Sequence, residues 1–252
     1  MTNDLKWLIG SDFHIPYEDP VAMSIWWQVM EWFKPDVIDI LGDLDDNSAC
    51  SRYSDGTADE VINATAMYSE FVKQFFAKTR EMNPNAQIHF ATGNHEQRFD
   101  AYIDKKAKAF KGLITPELLW ETDTHGIDLS YYDKPPVHRF GDIWVHHGLH
   151  ALTESGASVR KMVDDFGVSC IVGHCHRAGS YFKTYKLRNE TLRGYELGHM
   201  TDVTSAGMSY DTKHNWQQGF AIAHIVNDHP HVQLISISDG VAVVDGKVFY
   251  GS

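Results

Sequence analysis

The chain is poor in cysteine, in positive charge and in long apolar runs. It has three cysteines, Cys50, Cys170 and Cys175, in 252 residues. They are odd in number, widely spread and form no C-x-x-C pair, which argues against a disulfide framework and for a reducing compartment, with the cytoplasm as the expected location. Lysine and arginine number 22 against 34 aspartates and glutamates, a formal net charge of -12. Such a chain repels a polyanion at long range, so broad sequence-independent DNA binding by a basic face is not expected. Any phosphate-bearing substrate needs local help from cations. No apolar run approaches the roughly 20 residues of a spanning helix, and "MTNDLKWLIG" lacks the basic-then-apolar order of a secretory leader. A soluble protein with no membrane partner follows as the expectation.

Hydrophobic residues make up 43% of the sequence. That is enough to bury a core without disulfides or a structural metal, and one domain over residues 1–252 is expected. Apolar runs alternate with amphipathic stretches, the organisation of an α/β protein. "LKWLIGSD", "PDVIDILGD" and "AQIHFATGNH" read as strands. "PVAMSIWWQVMEWF", Ala58 to Met82, and Glu96 to Phe110 read as helices. The tryptophans of the first helix have the spacing of a core-facing stripe rather than of a base-stacking platform. "VHRFGDIWVHHG" reads as a hairpin turning at Gly141-Asp142, "SGASVRKMVDDFG" as a capped helix ended by Gly167, and "VSCIVGH" as a further strand. From Tyr181 onward strands and turns predominate, expected to complete one side of a two-sheet core. Residues 199–220 form a long polar segment with aromatics, suited either to covering a substrate or to connecting edge strands.

Five predicted strands end in metal-competent side chains: Asp12 and His14; Asp43; Asn94 and His95; His146 and His147; His174 and His176. The carboxyl ends of strands in open α/β sheets gather at one edge, where ligands bind. A donor set of carboxylate oxygen and imidazole nitrogen suits manganese, iron, zinc or nickel, rather than an all-oxygen calcium site or a thiolate zinc site. Cys175 lies between two histidines expected to share a face, so its thiol should point away from them. His89, His125, His138, His224 and His229 are assigned no role.

In order, "DFH" at 12–14, "GDLDD" at 42–46, "GNHE" at 93–96, "HHG" at 146–148 and "GHCH" at 173–176 resemble the motif series of the calcineurin-like metallophosphoesterases. The likeness spans about two-thirds of the chain. "SDFHIPYEDP" and "NWQQGF" look like pieces of the compact bacterial and phage members. The resemblance implies a four-layer α/β/β/α sandwich with two mixed β-sheets flanked by helices. It also implies a site for two divalent ions, with manganese the first choice in vitro and iron, zinc or nickel as alternatives. Asp12, His14, Asp43 and His176 would hold one ion; Asn94, His147, His174 and a shared Asp43 the other. His147 is preferred to His146 because it directly precedes Gly148. Water activated between the cations would attack the phosphorus. His95 would act as general acid with Asp46 orienting it, and Glu96 would support the ligands from behind.

The phosphoprotein phosphatases of this superfamily carry an arginine after G-D-x-x-D, where this chain has Asn47, so that bidentate clamp is missing. Arg52, Arg98, His150 and Arg177 lie near predicted strand ends and are, with Asn47, candidate substrate contacts. The expected activity is hydrolysis of a phosphodiester: a cyclic nucleotide, a dinucleotide or a nucleic-acid end. A phosphomonoesterase of phosphoproteins or small metabolites is the alternative, and a scaffold that has lost catalysis a third reading.

Overall fold

A computed structural model of the chain describes residues 4–54, 56, 62–205, 208 and 215–252, without the side chains of 62–68. Strand β1 (Leu5–Gly10) shows why the layers form: Trp7 and Ile9 enter one apolar cluster, Leu8 enters another, and all three are fully buried. A strand apolar on both faces must be covered on both. Strand β2 (Val37–Leu41) repeats the pattern, with Val37 and Leu41 on one side and Ile38 and Ile40 on the other. Strands β3 (Gln87–Ala91) and β4 (Ile127–Ser130) extend the same parallel set. With β10 (Gly219–Val226) and β11 (His229–Ser236) added antiparallel, the first sheet runs β11-β10-β1-β2-β3-β4.

The second sheet contains β5 (Val137–Phe140), β6 (Ile143–His146), β7 (Ser169–Val172), β8 (Ala178–Tyr185) and β9 (Glu190–Leu197), in the order β5-β6-β7-β9-β8. Its central strands β6, β7 and β9 are parallel, while β5 and β8 are antiparallel edges. A two-stranded unit, β12 (Val241–Val244) and β13 (Lys247–Tyr250), packs Ala242, Val244 and Phe249 into the first core.

Three apolar layers follow. The sheets face each other across Trp7, Ile9, Leu41, Val145, Ile171 and Leu197, among others. Helix α1 (Pro20–Phe33) lays Ile25, Trp26, Val29, Met30 and Phe33 on the outer face of the first sheet, joined there by helix α2 (Ile62–Met82) through Val72, Phe75 and Phe76. Pro20 opens α1 and the Asp19 carboxylate accepts from the Val21 and Ala22 amides, two of the donors a helix start leaves unsatisfied. Helices α3 (Asn94–Lys106) and α4 (Pro116–Trp120) follow β3, and Trp120 stacks edge-on against Phe90. Helix α5 (Ala157–Phe166) covers the second sheet with Val159, Met162 and Val163. Two large mixed sheets flanked by helices are thus the observed architecture.

Several expectations change in detail. The helix expected from Ala58 is described from Ile62, and residues 58–61 lie outside the described set. The helix expected from Glu96 to Phe110 starts at Asn94 and stops at Lys106, with a separate 3-10 turn over Lys108–Phe110. Helix α5 has no side-chain cap of its own, since its N-cap is Gly156. The buried Glu196 carboxylate on β9 accepts instead from the Gly156 and Val159 amides, a long-range cap that local sequence does not announce. The segment after Tyr181 does not complete one side of the core. It supplies β9 and most of β8 to one sheet and β10 and β11 to the other, so the chain changes sheets between β9 and β10. Buried Asp39 on β2 accepts from Trp7 Nε1 at 2.5 Å and lies 2.7 Å from Nδ1 of His89, given no role, while Arg139 Nε on β5 donates to it at 3.0 Å and ties the two sheets together. That pairing keeps a buried carboxylate from standing alone between the sheets. Among the described residues no helix is long and apolar enough to cross a membrane.

Candidate metal centre

Parallel strands release the chain at one edge, and the motifs occupy the turns leaving β1, β2, β3, β6 and β7. None of the motif side chains projects from a regular strand position except His146. Asp12 (φ 56°), His14 (φ 51°), Asp43 (φ 49°), His174 (φ 70°) and His176 (φ 58°) all have left-handed backbone. The conformation costs an L-residue roughly 1–2 kcal/mol, less for Asp, and such outliers persist where the surroundings enforce them. The kinks turn successive side chains inward, and the neighbouring glycines let the carboxylates approach. A Cβ on Gly93 would run into Asp43 Oδ1, and one on Gly173 into Ser11 Oγ and Asp12 Oδ2.

Two clusters result. In the first, His176 Nε2 lies 3.2 Å from Asp12 Oδ1 and 3.1 Å from His14 Nε2. In the second, His147 Nε2 lies 3.2 Å from Asp43 Oδ2 and 3.1 Å from Asn94 Oδ1, with His174 completing the group. Asp43 Oδ2 is also 3.7 Å from His14 Nε2, so this carboxylate stands between the clusters. Its other oxygen accepts from the His95 amide at 2.9 Å.

The donor chemistry fits cations. The Leu41 carbonyl, 2.7 Å from His147 Nδ1, accepts a hydrogen bond from that nitrogen and keeps its proton there. Neutral His147 therefore presents a bare Nε2 lone pair to two further acceptors, the Asp43 carboxylate and the Asn94 carbonyl, an arrangement that requires a positive charge at its centre. Without a metal a proton fills that role: burial opposes charge on His147, but Asp43 and Asp12 outweigh it and raise the imidazole to about 10. Burial also opposes charge on the carboxylates, yet the facing histidines hold Asp12 down at about 2 and Asp43 well below the usual carboxylate range. Burial and the neighbouring His147 lower His174 to about 4, leaving its lone pairs available.

His95 lies beside both clusters, its Nε2 3.8 Å from Asp43 Oδ2. Asp46 holds it from the other side, with Oδ2 3.0 Å and the carbonyl oxygen 2.9 Å from Nδ1. The sequence reading missed that Asp46 Oδ2 is equally 3.0 Å from His14 Nδ1. One carboxylate therefore orients a metal-competent histidine and His95 together, and burial, which would raise it, is outweighed by these two rings. The third His/Asp cluster capable of holding an ion, His14 with Asp46 and His95, shares its members with this hydrogen-bonded arrangement. Glu96 accepts from the Gly93, Asp43 and Asp45 amides at 2.6–2.9 Å, locking two motif turns to each other. Burial and the Asp43 charge push its carboxyl up to about 8 against the pull of those donors.

His146 turns to the opposite side, toward the Tyr132 carbonyl, and burial with the adjacent His147 lowers it to about 4. Cys175 is buried with its Sγ 3.9 Å from the Arg177 carbonyl oxygen, and burial pushes its thiol up to about 12. The reason for its direction differs from the expected one: His174 and His176 lie beyond the end of β7, and left-handed turns, not strand alternation, set the three side chains. Cys175→Ala is expected to bind as much Mn²⁺ as the parent chain in an equilibrium titration, and a lost equivalent would make the thiol a ligand.

The candidate substrate contacts divide. Arg98 reaches the centre, with Nη2 2.8 Å from His95 Nε2 and Nη1 donating to the Asp46 carbonyl at 3.1 Å. Asn47 is fully buried beside Asp46, and neither amide atom has a hydrogen-bond partner. Arg52 donates to the Tyr53 hydroxyl at 2.7 Å, in the loop facing α3. Two others have partners of their own. His150 Nε2 lies 2.9 Å from Asp165 Oδ2 on α5, and Arg177 donates to the Cys175 carbonyl at 2.9 Å. The sequence reading also missed His199 and Trp216, whose rings lie 5.5 and 4.3 Å from His176. They belong to the 199–220 segment, of which residues 206, 207 and 209–214 lie outside the described set. The histidine and the aromatics of that polar stretch were the signal available in the sequence.

No protein-family model matches this chain. The gene 54 protein of Mycobacterium phage L5 and that of Mycobacterium phage D29 are each 26% identical to it over 252 residues, 96% of this chain and 97% of the relative. Among solved structures, Vacuolar Protein Sorting 29 from Cryptosporidium parvum superposes with a TM-score of 0.52 at 14% identity, covering 98% of both chains. At that identity the likeness speaks to fold alone: the chain has the mixed α/β fold of Vps29, with two large mixed sheets flanked by helices.

Proposed function

We propose that the chain is a metal-dependent phosphodiesterase acting on a cyclic nucleotide, a dinucleotide or a nucleic-acid end. The observation that carries this reading is the position of Asp43, whose Oδ2 faces His147 on one side and His14 on the other while His95 lies at 3.8 Å. Asp12, His14, Asp43 and His176 would hold one divalent ion, and Asn94, His147, His174 and the shared Asp43 a second. Such a pair supplies an activated water and neutralises phosphate oxygens, which also lets a chain of net charge -12 bind an anion.

The protein's own groups have distinct tasks. Asp43 keeps the clusters adjacent, and the Leu41 carbonyl and Asp46 fix which nitrogen of His147 and of His14 faces inward. His95 serves as general acid through Nε2, with Asp46 accepting at Nδ1. In this structure Arg98 occupies the Nε2 side of His95. A phosphate oxygen that draws the guanidinium away frees Nε2 to take a proton from solvent and pass it to the leaving oxygen, the ring returning to its neutral form with its remaining proton on Nδ1. Arg98 then brings from α3 the cation that Asn47 does not provide after G-D-x-x-D.

Initial rates on bis-(p-nitrophenyl) phosphate and p-nitrophenyl phosphate with Mn²⁺ test the substrate class. The diester is expected to be the better substrate. A large preference for the monoester would favour phosphomonoester hydrolysis, and turnover of neither would favour a scaffold without catalysis.

A further inference from the structure

Of the histidines assigned to the metal centre, His14, His147 and His176 are buried, and two of these are held from behind: His14 Nδ1 by Asp46 and His147 Nδ1 by the Leu41 carbonyl. Such acceptors fix which nitrogen faces a metal and how the ring is turned. His176 has none. Its Nε2 faces Asp12 and His14, while its Nδ1 is buried without a hydrogen-bond partner among the described residues. The same residue sits on left-handed backbone (φ 58°), a conformation that persists only where the surroundings enforce it.

The enforcement comes from outside the motif series. The Trp216 ring lies 4.3 Å from that of His176 at an interplanar angle of 76°, the edge-to-face arrangement that aromatic pairs prefer, and the His199 ring lies 5.5 Å away. Backbone bonds deliver Trp216 to this place. Its neighbour Gln217 donates its amide to the His176 carbonyl at 3.0 Å, and the Gln217 side-chain oxygen accepts from the Ala178 amide at 3.2 Å. The Gln217 carbonyl accepts from the His199 amide at 3.1 Å, and the Met200 amide donates to the Asp12 carbonyl at 3.0 Å. Residues 198–200 and 217–219 thus pair with each other and are tied to the turns after β1 and β7.

We infer that Trp216 is a positioning residue for the metal centre: its ring holds the His176 imidazole in the ligating orientation, where His14 and His147 rely on a hydrogen-bond acceptor. This rests on the metal-binding part of the proposed function and not on its substrate class. It also gives the polar 199–220 stretch a task besides covering a substrate or joining strands, since its backbone anchors two motif turns and its tryptophan sets a ligand.

Mn²⁺ titration of the metal-stripped full chain, read by electron paramagnetic resonance of the free ion, tests the assignment. Trp216→Ala is expected to weaken one bound equivalent by roughly ten- to a hundredfold, the range for losing support behind a ligand, and to leave the other unchanged. Trp216→Leu, which keeps apolar bulk without a ring, should behave like the Ala variant, and Trp216→Phe should recover most of the affinity. Because the effect runs through His176, adding Trp216→Leu to His176→Ala should cost no further Mn²⁺ binding. Parent-like affinity in the Leu variant would overturn the inference while leaving the metal centre intact. An equal loss with and without His176 would also overturn it, since Trp216 would then act on the fold at large. A parent chain that binds no Mn²⁺ would remove the metal-centre reading and this inference together. Mn²⁺ binding that depends on Trp216 in a chain that hydrolyses neither nitrophenyl ester would keep the inference and remove the phosphodiesterase reading.

Discussion

Asp43→Ala is expected to lower bis-(p-nitrophenyl) phosphate hydrolysis by roughly 10³-fold or more, the scale of several kcal/mol of transition-state charge stabilisation by a metal pair. The same substitution should remove at least one bound Mn²⁺ per chain. The reason is geometric: Asp43 Oδ2 faces both His147 and His14, whereas Asp12 Oδ1 lies 3.2 Å from His176 Nε2 and 3.9 Å from His14 Nε2. Asp43 Oδ1 also accepts from the His95 amide, so Ala removes an anchor of α3 as well as the bridge. Asp43→Asn separates the two effects, since its amide oxygen can still accept from His95 while the bridging charge is gone. Rate and metal content should fall in both variants. Loss in Ala with parent-like behaviour in Asn would reduce Asp43 to a structural acceptor.

His95→Ala should have the second-largest effect, a loss of about 10²–10⁴-fold in kcat for a missing general acid, with metal content unchanged. Its ring touches Asp46, Arg98 and Asp43 but is not required for either metal-competent cluster as described above. Asp46→Asn provides the contrast. Because Asp46 also holds His14 Nδ1, its change should reduce Mn²⁺ affinity as well as rate, whereas His95→Ala should reduce rate alone. Metal titration of the two variants side by side distinguishes them, and loss of metal in His95→Ala would make His95 a ligand rather than an acid.

The fold was legible in the sequence where periodicity and composition agree. Two-sided apolar strands such as "LKWLI" and "VIDIL" require covered sheets, and the Trp26 stripe requires a sheet beneath it. The convergence of five strand ends could likewise be read from the order of the motifs. What could not be read is long-range. Nothing near Gly156 indicates that Glu196 caps α5, because a cap from another strand leaves no local pattern. The change of sheet between β9 and β10 depends on pairing of β10 with β1, over 200 residues away. At the centre, the sequence identified Asp46 as a partner for His95 but not for His14, since a carboxylate shared by two rings is a property of their approach in space.

Metal stoichiometry of the intact chain, measured with its hydrolysis of bis-(p-nitrophenyl) phosphate in the same Mn²⁺ titration, bears most directly on the central claim. Two equivalents per chain are predicted, with activity rising as the second is bound and lost on chelation. Full activity with one equivalent, or hydrolysis indifferent to a chelator, would contradict it.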